Sequence, residues 1–410
     1  MSKIPSIAMI PSGYKASKLY SVLPTNGAGD FTTTRASIAT RVNENGLLEE
    51  VAANVPRLDY SDGTCPSLLL EPTATNLITY SELFSDAYWS KADTTVSNSV
   101  ISPEGTANAF NLLNNNALGQ AYISTSITVT ATKNYIFSVF VKKGNVRYIA
   151  LVNLNPFTSS YFDLQDGVAL ASNAISSSIE DYGNGWFRCS VETVADTTTK
   201  YCGIYLSENG SSLDASGIPN GDGVKIYGAQ LEENSYATSY IKNAGTALGV
   251  TRTADTANGS GSSTVINSTE GVLYAEISAL ADDLSLRQIS INDGTTNNRV
   301  LILYSNVSNT LRADVRVSGS SQALMSTSSQ IITNTIKVAI KFKLNDFALW
   351  VNGVKVDTDN AGNVFTANTL TSLSFNNGSL SGEVFTGKVK DLRVYTTALS
   401  DAELTTLTTI

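Results

Sequence analysis

Short segments in which apolar and polar residues alternate recur along most of this chain, and turn-forming residues separate them. The clearest turn is Asn352-Gly353, between FALWV and VKV, because this dipeptide is preferred in two-residue hairpin turns. In IFSVFVKK, residues 136–143, Phe137, Val139 and Val141 share one face while other apolar residues occupy the opposite one. Such a strand is buried on both sides. The period of two residues predicts antiparallel strands throughout.

Composition supports the same fold class. The chain has 410 residues, of which 42 % are hydrophobic and only 15 % are charged. Ser, Thr, Asn and Gly fill much of the remainder, which suits strands and turns better than helices. We therefore expect an all-β protein, and the length predicts two or three domains with cores of their own.

The spacing of the strand-like segments predicts two tandem antiparallel β-sandwiches preceded by an irregular N-terminal arm. Residues 1–75 show little periodicity and form the arm, and residues 76–242 form the first sandwich. Residues 243–264 are small and polar and form a linker. Residues 265–410 form the second sandwich and end in a short helix, which a capping box of Ser400 and Glu403 opens.

Charge and residue usage exclude several function classes. There is no histidine, so catalytic triads and histidine-containing zinc sites are absent, and any catalysis would rest on carboxylates. The net charge is −9 and no basic block is present, which makes nucleic acid an unfavourable partner.

The three cysteines predict free thiols rather than a disulfide framework. The segments that carry Cys189 and Cys202 are predicted to form a hairpin whose register places the two thiols roughly 13 Å apart. The opening MSKIPSIAMIP is interrupted by Pro5 and Pro11 and has no apolar run long enough for a signal peptide. We expect synthesis in a cytoplasm without export.

Two aromatic residues are candidate ligand contacts. Trp186 follows the turn Gly183-Asn184-Gly185 and Tyr182 precedes it. Either ring could stack on a sugar, although Trp186 could equally fill the core. Asp357 and Asp359, in DTDNAGN, match part of a calcium loop, but Asn368 stands where a bidentate glutamate is required. A polar surface loop is the alternative to this calcium site, and no other cofactor is expected.

The opening of the chain resembles that of a group of tailed-bacteriophage virion proteins, of the tail-fibre or lectin-like type. The residues that carry this resemblance are PSGYKASKLYSVLPTNGAGDFTTTRASIATRVNENGLLEEVAANVPRLDY, followed by CPSLLLEPTATNLITYSE. Asn76-Leu77-Ile78, Phe84 and Tyr88-Trp89 are similar to the start of jelly-roll carbohydrate-binding modules. The order of strands in residues 265–410, with residues 389–395 before LSDAEL, resembles the concanavalin A-like, laminin-G-like superfamily.

Some members of that superfamily are glycan hydrolases with a Glu-x-Asp-x-x-Glu strand, whose alternate carboxylates face one cleft. No Glu-x-Asp occurs in this chain. The pairs Glu232-Glu233 and Asp282-Asp283 are adjacent, so we expect solvated loop positions rather than a catalytic pair.

Together these resemblances imply a non-enzymatic phage structural protein, a fibre or spike adhesin that binds host-surface glycan as receptor. The alternatives are a capsid-decoration, head-fibre or architectural subunit, and a glycan depolymerase. The resemblance also implies location in the virion, contact with other virion proteins through the N-terminal arm, and a homo-oligomer, most often a trimer.

Overall fold

A computed structural model describes residues 3–154, 156–379 and 383–410. Nearly all of its regular structure is antiparallel β, which confirms the predicted fold class. The chain divides into two compact units that are discontinuous in sequence. The first unit contains residues 1–38, 51–72 and 253–410, and the second contains residues 39–50 and 73–252.

The strands up to residue 76 are short: β1 (Ile7–Met9), β2 (Tyr14–Lys15), β3 (Lys18–Leu19), β4 (Phe31–Thr34), β5 (Ala39–Val42), β6 (Leu48–Val51), β7 (Leu58–Asp59), β8 (Ser67–Leu70) and β9 (Ala74–Asn76). The next group belongs to the second unit: β10 (Ser90–Ala92), β11 (Thr94–Val100), β12 (Ala109–Asn114), β13 (Tyr122–Thr128), β14 (Asn134–Lys143), β15 (Tyr148–Asn153), β16 (Thr158–Asp163), β17 (Val168–Ser172), β18 (Ser176–Asp181), β19 (Trp186–Val194), β20 (Thr199–Ser207), β21 (Gly223–Glu232) and β22 (Val250–Arg252). The last group belongs to the first unit: β23 (Thr256–Asn258), β24 (Glu270–Ser278), β25 (Arg287–Asn292), β26 (Arg299–Tyr304), β27 (Leu311–Val317), β28 (Ser320–Thr327), β29 (Ile336–Lys343), β30 (Phe347–Val351), β31 (Val354–Asp359), β32 (Ser372–Ser374), β33 (Gly387–Tyr395) and helix α1 (Asp401–Thr408).

The first unit is a sandwich of two antiparallel sheets. One sheet has the order β31-β30-β29-β24-β33-β8-β7, with β1 also on β33, and the other has the order β28-β27-β26-β25-β32. Their inner faces share one core, in which Leu273 and Val389 of the first sheet meet Ile289 and Val300 of the second. Asn352 and Gly353 both have positive φ, as the predicted hairpin turn requires, and the predicted capping box of Ser400 and Glu403 is present.

The N-terminal residues are part of this sandwich, which differs from the irregular arm that the sequence predicts. One edge of β33 pairs with β24, and its other edge is shared by β1 at residues 392–394 and by β8 at residues 387–389. Leu68 and Leu70 are buried in the core of the first unit. Short apolar pieces without periodicity thus become interior strands, because the exposed edge of a long strand supplies their hydrogen-bond partners.

The region predicted to be a linker also contains strands. Within residues 243–264, β22 pairs with β9 in the second unit, and β23 pairs with β4 in the first unit. The chain passes from the second unit to the first between Arg252 and Thr253.

The second unit is also a sandwich of two sheets. Their orders are β10-β13-β20-β15-β16-β17 and β11-β12-β21-β14-β19-β18. Strand β14 lies between β21 and β19 and is buried on both faces, as its sequence predicts. The core contains Ile123, Ile149 and Ile204 from one sheet and Phe137 and Ile226 from the other.

The predicted hairpin of β19 and β20 is wrong. β19 pairs with β14 and β18, whereas β20 pairs with β13 and β15, so the two strands lie in opposite sheets. Both are apolar enough to be interior strands, and the exposed turn between them, residues 196–198, passes from one sheet to the other instead of reversing within one sheet. Cys189 and Cys202 point into this core as free thiols, and burial raises the pKa of each. Cys65 is free and exposed.

A buried cluster of charges joins distant segments of the first unit. Arg57 is fully buried and pairs with the carboxylates of Glu71 and Asp255, and Asp255 also accepts a hydrogen bond from Arg35 at 3.0 Å. Burial opposes the charge of Arg57, but Asp255 and Glu71 outweigh burial and raise the pKa of Arg57. Two cations thus balance two anions in the interior, which is the condition for burying charge.

The burial of Leu68 generates a prediction about stability. Leu68 is 1 % exposed and pairs with Val389, so Leu68→Ala should lower the free energy of unfolding by about 2–5 kcal/mol through the cavity it leaves. The measurement is denaturant unfolding of the full chain. Leu344 is 55 % exposed in the same unit, and Leu344→Ala should change that free energy by about 0.5 kcal/mol or less. Equal effects of the two variants would contradict a core role for residues 67–70.

Candidate functional site

One sheet of the second unit carries tyrosine side chains on its outer face. Successive residues of a strand point to opposite faces, and Cys202, Ile204 and Leu206 of β20 pack in the sandwich core. Tyr201 and Tyr205 therefore lie on the outer face, where they form a separate cluster.

The strand register brings further tyrosines beside these two. Tyr122 of β13 is opposite Tyr205, Tyr205 is opposite Ala150 of β15, and Ala150 is opposite Tyr161 of β16. One row thus crosses four strands with a small residue between aromatic ones. Together with the neighbouring row, the tyrosine face is defined by Tyr122, Ala150, Val152, Tyr161, Tyr201, Gly203 and Tyr205.

Gly203 allows the rings of the tyrosine face to approach one another. Residues 201 and 205 are roughly 13 Å apart along an extended strand, yet their hydroxyl oxygens are 2.8 Å apart. A Cβ at position 203 would lie 2.6 Å from Cε2 of Tyr205 and 2.8 Å from Cε1 of Tyr201. The two rings consequently lean toward each other over the glycine. Tyr122 stacks on Tyr205 with ring centroids 4.3 Å apart and an interplanar angle of 17°.

The tyrosine face combines buried anchors with accessible rings. Tyr205 and Tyr161 are 6 % and 8 % exposed, whereas Tyr122 and Tyr201 are partly exposed. Burial raises the pKa of Tyr201 and of Tyr205, so both phenols stay neutral in ordinary buffers. Flat apolar rings with hydroxyl groups at their edges can stack on the C–H face of a sugar and exchange hydrogen bonds with its hydroxyls.

Charged groups at the rim of this sheet form ion pairs with each other. Arg147 lies over the ring of Tyr148, 5.1 Å from its centroid, and donates from Nε to both carboxylate oxygens of Asp163 at 2.9 Å. Arg147 also pairs with Asp166 at 2.6 Å. The hydrogen bond from Arg147 lowers the pKa of Asp163. The rim therefore presents one arginine paired with two carboxylates beside an uncharged aromatic surface.

The two aromatic residues that the sequence singles out lie on the opposite sheet. Trp186 is 2 % exposed in a second aromatic cluster, where Phe140, Tyr227 and Tyr240 surround it. Trp186 thus fills an interior instead of offering a plane to a ligand. Tyr182 is partly buried against this cluster, with its ring edge-to-face on Phe140 at 4.8 Å and 86°. Neither residue belongs to the tyrosine face.

Asp357 and Asp359 are engaged in local hydrogen bonds. Asp357 lies within β31 and accepts from the backbone N–H of Ser326 at 2.9 Å, and Asp359 accepts from that of Ala361 at 3.0 Å. No group of three or more acidic or cysteine side chains suitable for a metal occurs in the ranges that the structure describes. The residues at this turn therefore do not fit the calcium loop that the sequence suggests.

The adjacent acid pairs do not form a catalytic pair, and one member is not solvated. Glu232 is 1 % exposed and accepts from the backbone N–H of Thr238 at 3.0 Å, which corrects the expected loop position. Burial raises the pKa of Glu232. Asp283 pairs with Arg287 at 2.8 Å, and Asp282 accepts from the backbone N–H of Asn309 at 3.1 Å.

Comparison with known proteins identifies the fold of the C-terminal part. Residues 277–405 match the family model described as the concanavalin A-like lectin/glucanases superfamily. This match confirms the concanavalin A-like domain that the sequence predicts. No curated protein matches the chain. Within the described ranges, no helix has the length and apolar content that a membrane crossing requires.

Solved structures with a similar arrangement come from several organisms. The carbohydrate-binding module (CBM40) of the Ruminococcus gnavus IT-sialidase, bound to α2,3-sialyllactose, is 17 % identical over 37 % of this chain and 93 % of its own, with a TM-score of 0.32. Domain 4 of the Geobacillus stearothermophilus arabinanase AbnA is 17 % identical over 43 % of this chain and 84 % of its own, with a TM-score of 0.26. Domains LG4-5 of mouse laminin α1 are 10 % identical over 68 % and 90 %, with a TM-score of 0.25. Likeness at these identities and TM-scores carries no information about ligand or activity.

Gly203 provides a test of the packing of the tyrosine face. Gly203→Ala should lower the free energy of unfolding by about 1–3 kcal/mol, because the new methyl group overlaps both neighbouring rings. Thermal or denaturant unfolding measures this change. Gly119→Ala is the matched control, since a Cβ there has no neighbour within 4 Å. Equal stability of Gly203→Ala and the control would show that the rings are not fixed over position 203.

Proposed function

We propose that this protein is a non-enzymatic glycan-binding protein of a tailed-phage virion, a fibre or spike adhesin that contacts host-surface glycan. The observation that carries the proposal is the tyrosine face, in which Tyr122, Tyr205 and Tyr161 follow one row across four strands. The family description of residues 277–405, which includes lectins, supports a glycan ligand.

The physical fit of this face is to a neutral sugar. Tyr122 and Tyr201 supply partly exposed rings, and the buried Tyr205 holds them through a stacking contact and a hydroxyl contact of 2.8 Å. Fixed rings lose little conformational freedom when a ligand binds, which favours affinity. The nearest charges, Arg147 with Asp163 and Asp166, bind one another, so that each charged group beside the face has an ion-pair partner.

Binding without catalysis is favoured over a depolymerase. The chain has neither histidine nor a Glu-x-Asp strand, and at the rim of the tyrosine face Asp163 is held ionised by Arg147. A glycosidase requires one carboxyl group that stays protonated to act as the acid, and a lowered pKa opposes that role.

The placement in a virion rests on the resemblance of the opening sequence. The N-terminal residues would contact other virion proteins through a surface of the first unit rather than through a separate arm. Side chains there that are more than one-third exposed and could form such a contact are Ile4, Ile10, Tyr14, Tyr20 and Val22. A homotrimer is the assembly that the resemblance implies. A capsid-decoration subunit is the second candidate, because the same contact could be made at the head.

Substitution of the accessible rings tests glycan binding. Tyr201→Ala and Tyr122→Ala should each weaken binding about fivefold, since loss of a stacking ring is worth about 1 kcal/mol. Tyr201→Phe should weaken binding less than Tyr201→Ala, because it keeps the ring and loses only the hydroxyl contact with Tyr205. The measurement is retardation of the full chain in native gels that contain galactan, mannan or glucan.

The same gels compare two locations in the second unit. Tyr182→Ala changes the opposite sheet and should leave retardation unchanged. Weakening by Tyr182→Ala alone would move the site to the residue that the sequence favours. If no polysaccharide retards the wild type, or if Tyr201→Ala is retarded equally, glycan binding by the tyrosine face is contradicted. Release of reducing ends during incubation would favour the depolymerase.

Labelling of intact particles tests the location. Antibody fragments against this protein should label tail fibres or spikes in electron micrographs, and native mass spectrometry of the free protein should show a trimer. Label on the capsid would favour the decoration subunit, and a protein absent from purified particles would contradict the virion role.

A further inference from the structure

The two outer faces of the sandwich in the first unit differ in chemistry. The outer face of the sheet that contains β24 is apolar, with Val272, Trp350 and Tyr395, and Leu404 of α1 packs in the same cluster. The sheet β28-β27-β26-β25-β32 carries polar and charged residues on its outer face, and Leu324 there is 62 % exposed. This second face is therefore open to solvent at its β28 side.

Three arginines converge on this open face. Val300 and Ile302 of β26 and Ala313 and Val315 of β27 point into the core, so the alternate residues point outward. In the strand register Arg299 is opposite Arg316, Leu301 is opposite Asp314, and Leu303 is opposite Arg312. The arginine face is defined as Arg299, Arg312, Arg316 and the Asp314 between them.

One carboxylate pairs with two of these three guanidinium groups. Asp314 is 3.2 Å from a terminal nitrogen of Arg316 and 3.6 Å from one of Arg299. The Nε atoms of Arg299 and Arg316 are buried without a hydrogen-bond partner, although a terminal nitrogen of Arg299 donates to the backbone oxygen of Asn377 at 2.9 Å. The side chain of Arg312 has no ion pair or hydrogen bond within the part of the chain that the structure describes. Like charges placed directly opposite each other, as in Arg299 and Arg316, destabilise a sheet.

The other acids near this face accept hydrogen bonds from neutral groups and form no ion pair with its arginines in the described ranges. Glu383 accepts hydrogen bonds from Gln288 at 3.1 Å and from Asn377 at 2.6 Å. Asp357 accepts from the backbone N–H of Ser326, which is opposite Arg312, but lies outside ion-pair distance of that arginine. Burial, followed by repulsion from Arg316, lowers the pKa of Arg299, while the carboxylates of Asp314 and Glu383 oppose this shift.

We propose that the arginine face binds an acidic oligosaccharide of the uronate class, with Arg312 and Arg316 each donating to a sugar carboxylate. The guanidinium group matches a carboxylate with two parallel hydrogen bonds. Arg312 and Arg316 are four residues apart on β27, or roughly 13 Å, so they suit two carboxylates of one chain better than a single carboxylate. Arg299 is 8 % exposed and contacts Asp314 at 3.6 Å from the neighbouring strand, so it is a positioning residue for that carboxylate. The inference extends the proposed glycan binding to a second site of different chemistry.

Titration of the full chain with tetragalacturonate tests this site. The comparison ligand is the same tetrasaccharide with its carboxyl groups reduced to alcohols. We expect the acidic form to bind at least tenfold more tightly, and its affinity to fall with added salt. Arg312→Gln and Arg316→Gln should each weaken binding about tenfold, the effect of losing one charged hydrogen bond. Lys343→Gln is the control, because it removes one positive charge from a side chain that is 52 % exposed on the other sheet.

The outcomes separate this site from the tyrosine face. Tyr201→Ala should leave tetragalacturonate binding unchanged, while Arg312→Gln should leave retardation by neutral polysaccharides unchanged. No binding of tetragalacturonate, equal binding of its reduced form, or equal losses in Lys343→Gln and Arg316→Gln would each overturn the proposal. Circular dichroism of both arginine variants confirms that folding is retained, and Arg312→Gln is the safer of the two because it breaks no described contact.

Discussion

Buried charge pairs hold together a first unit that is assembled from distant parts of the chain. Arg57 binds Glu71 and Asp255, and Asp255 also binds Arg35. These residues come from all three segments of the unit. Removal of one member would leave a charge buried without compensation, which typically costs about 3–5 kcal/mol. The buried charges therefore balance only when all three segments are assembled correctly.

Edge pairing is the second constraint on the same unit. β33 has nine residues, and an unpaired strand of that length exposes backbone groups that other chains could pair with. β1 and β8 occupy that edge, while their side chains contribute to the core. The N-terminal residues thus serve the fold first, and the proposed contact with other virion proteins would be made by their outer surface.

The four outer faces of the two sandwiches fall into two kinds. Two are covered: α1 packs over the sheet that contains β24, and Leu48 and Tyr240 pack over the sheet that contains β14. The other two carry the tyrosine face and the arginine face, which offer neutral aromatic and cationic chemistry.

Local pattern was sufficient for the elements that depend on neighbours in sequence. Alternation predicted the all-β class and the doubly buried β14, and Asn352-Gly353 and Ser400-Glu403 predicted a turn and a helix start. Each of these features is fixed within a few residues by backbone preference or by one hydrogen bond.

Partners that lie far apart in the chain were decided by tertiary structure. The sequence could place Tyr201 and Tyr205 on one side of β20, but only sheet pairing brought Tyr122 and Tyr161 beside them. A period of two assigns residues to faces without saying which face is covered or which strand is adjacent. The sequence therefore could not show that Trp186 is interior or that β19 and β20 lie in opposite sheets.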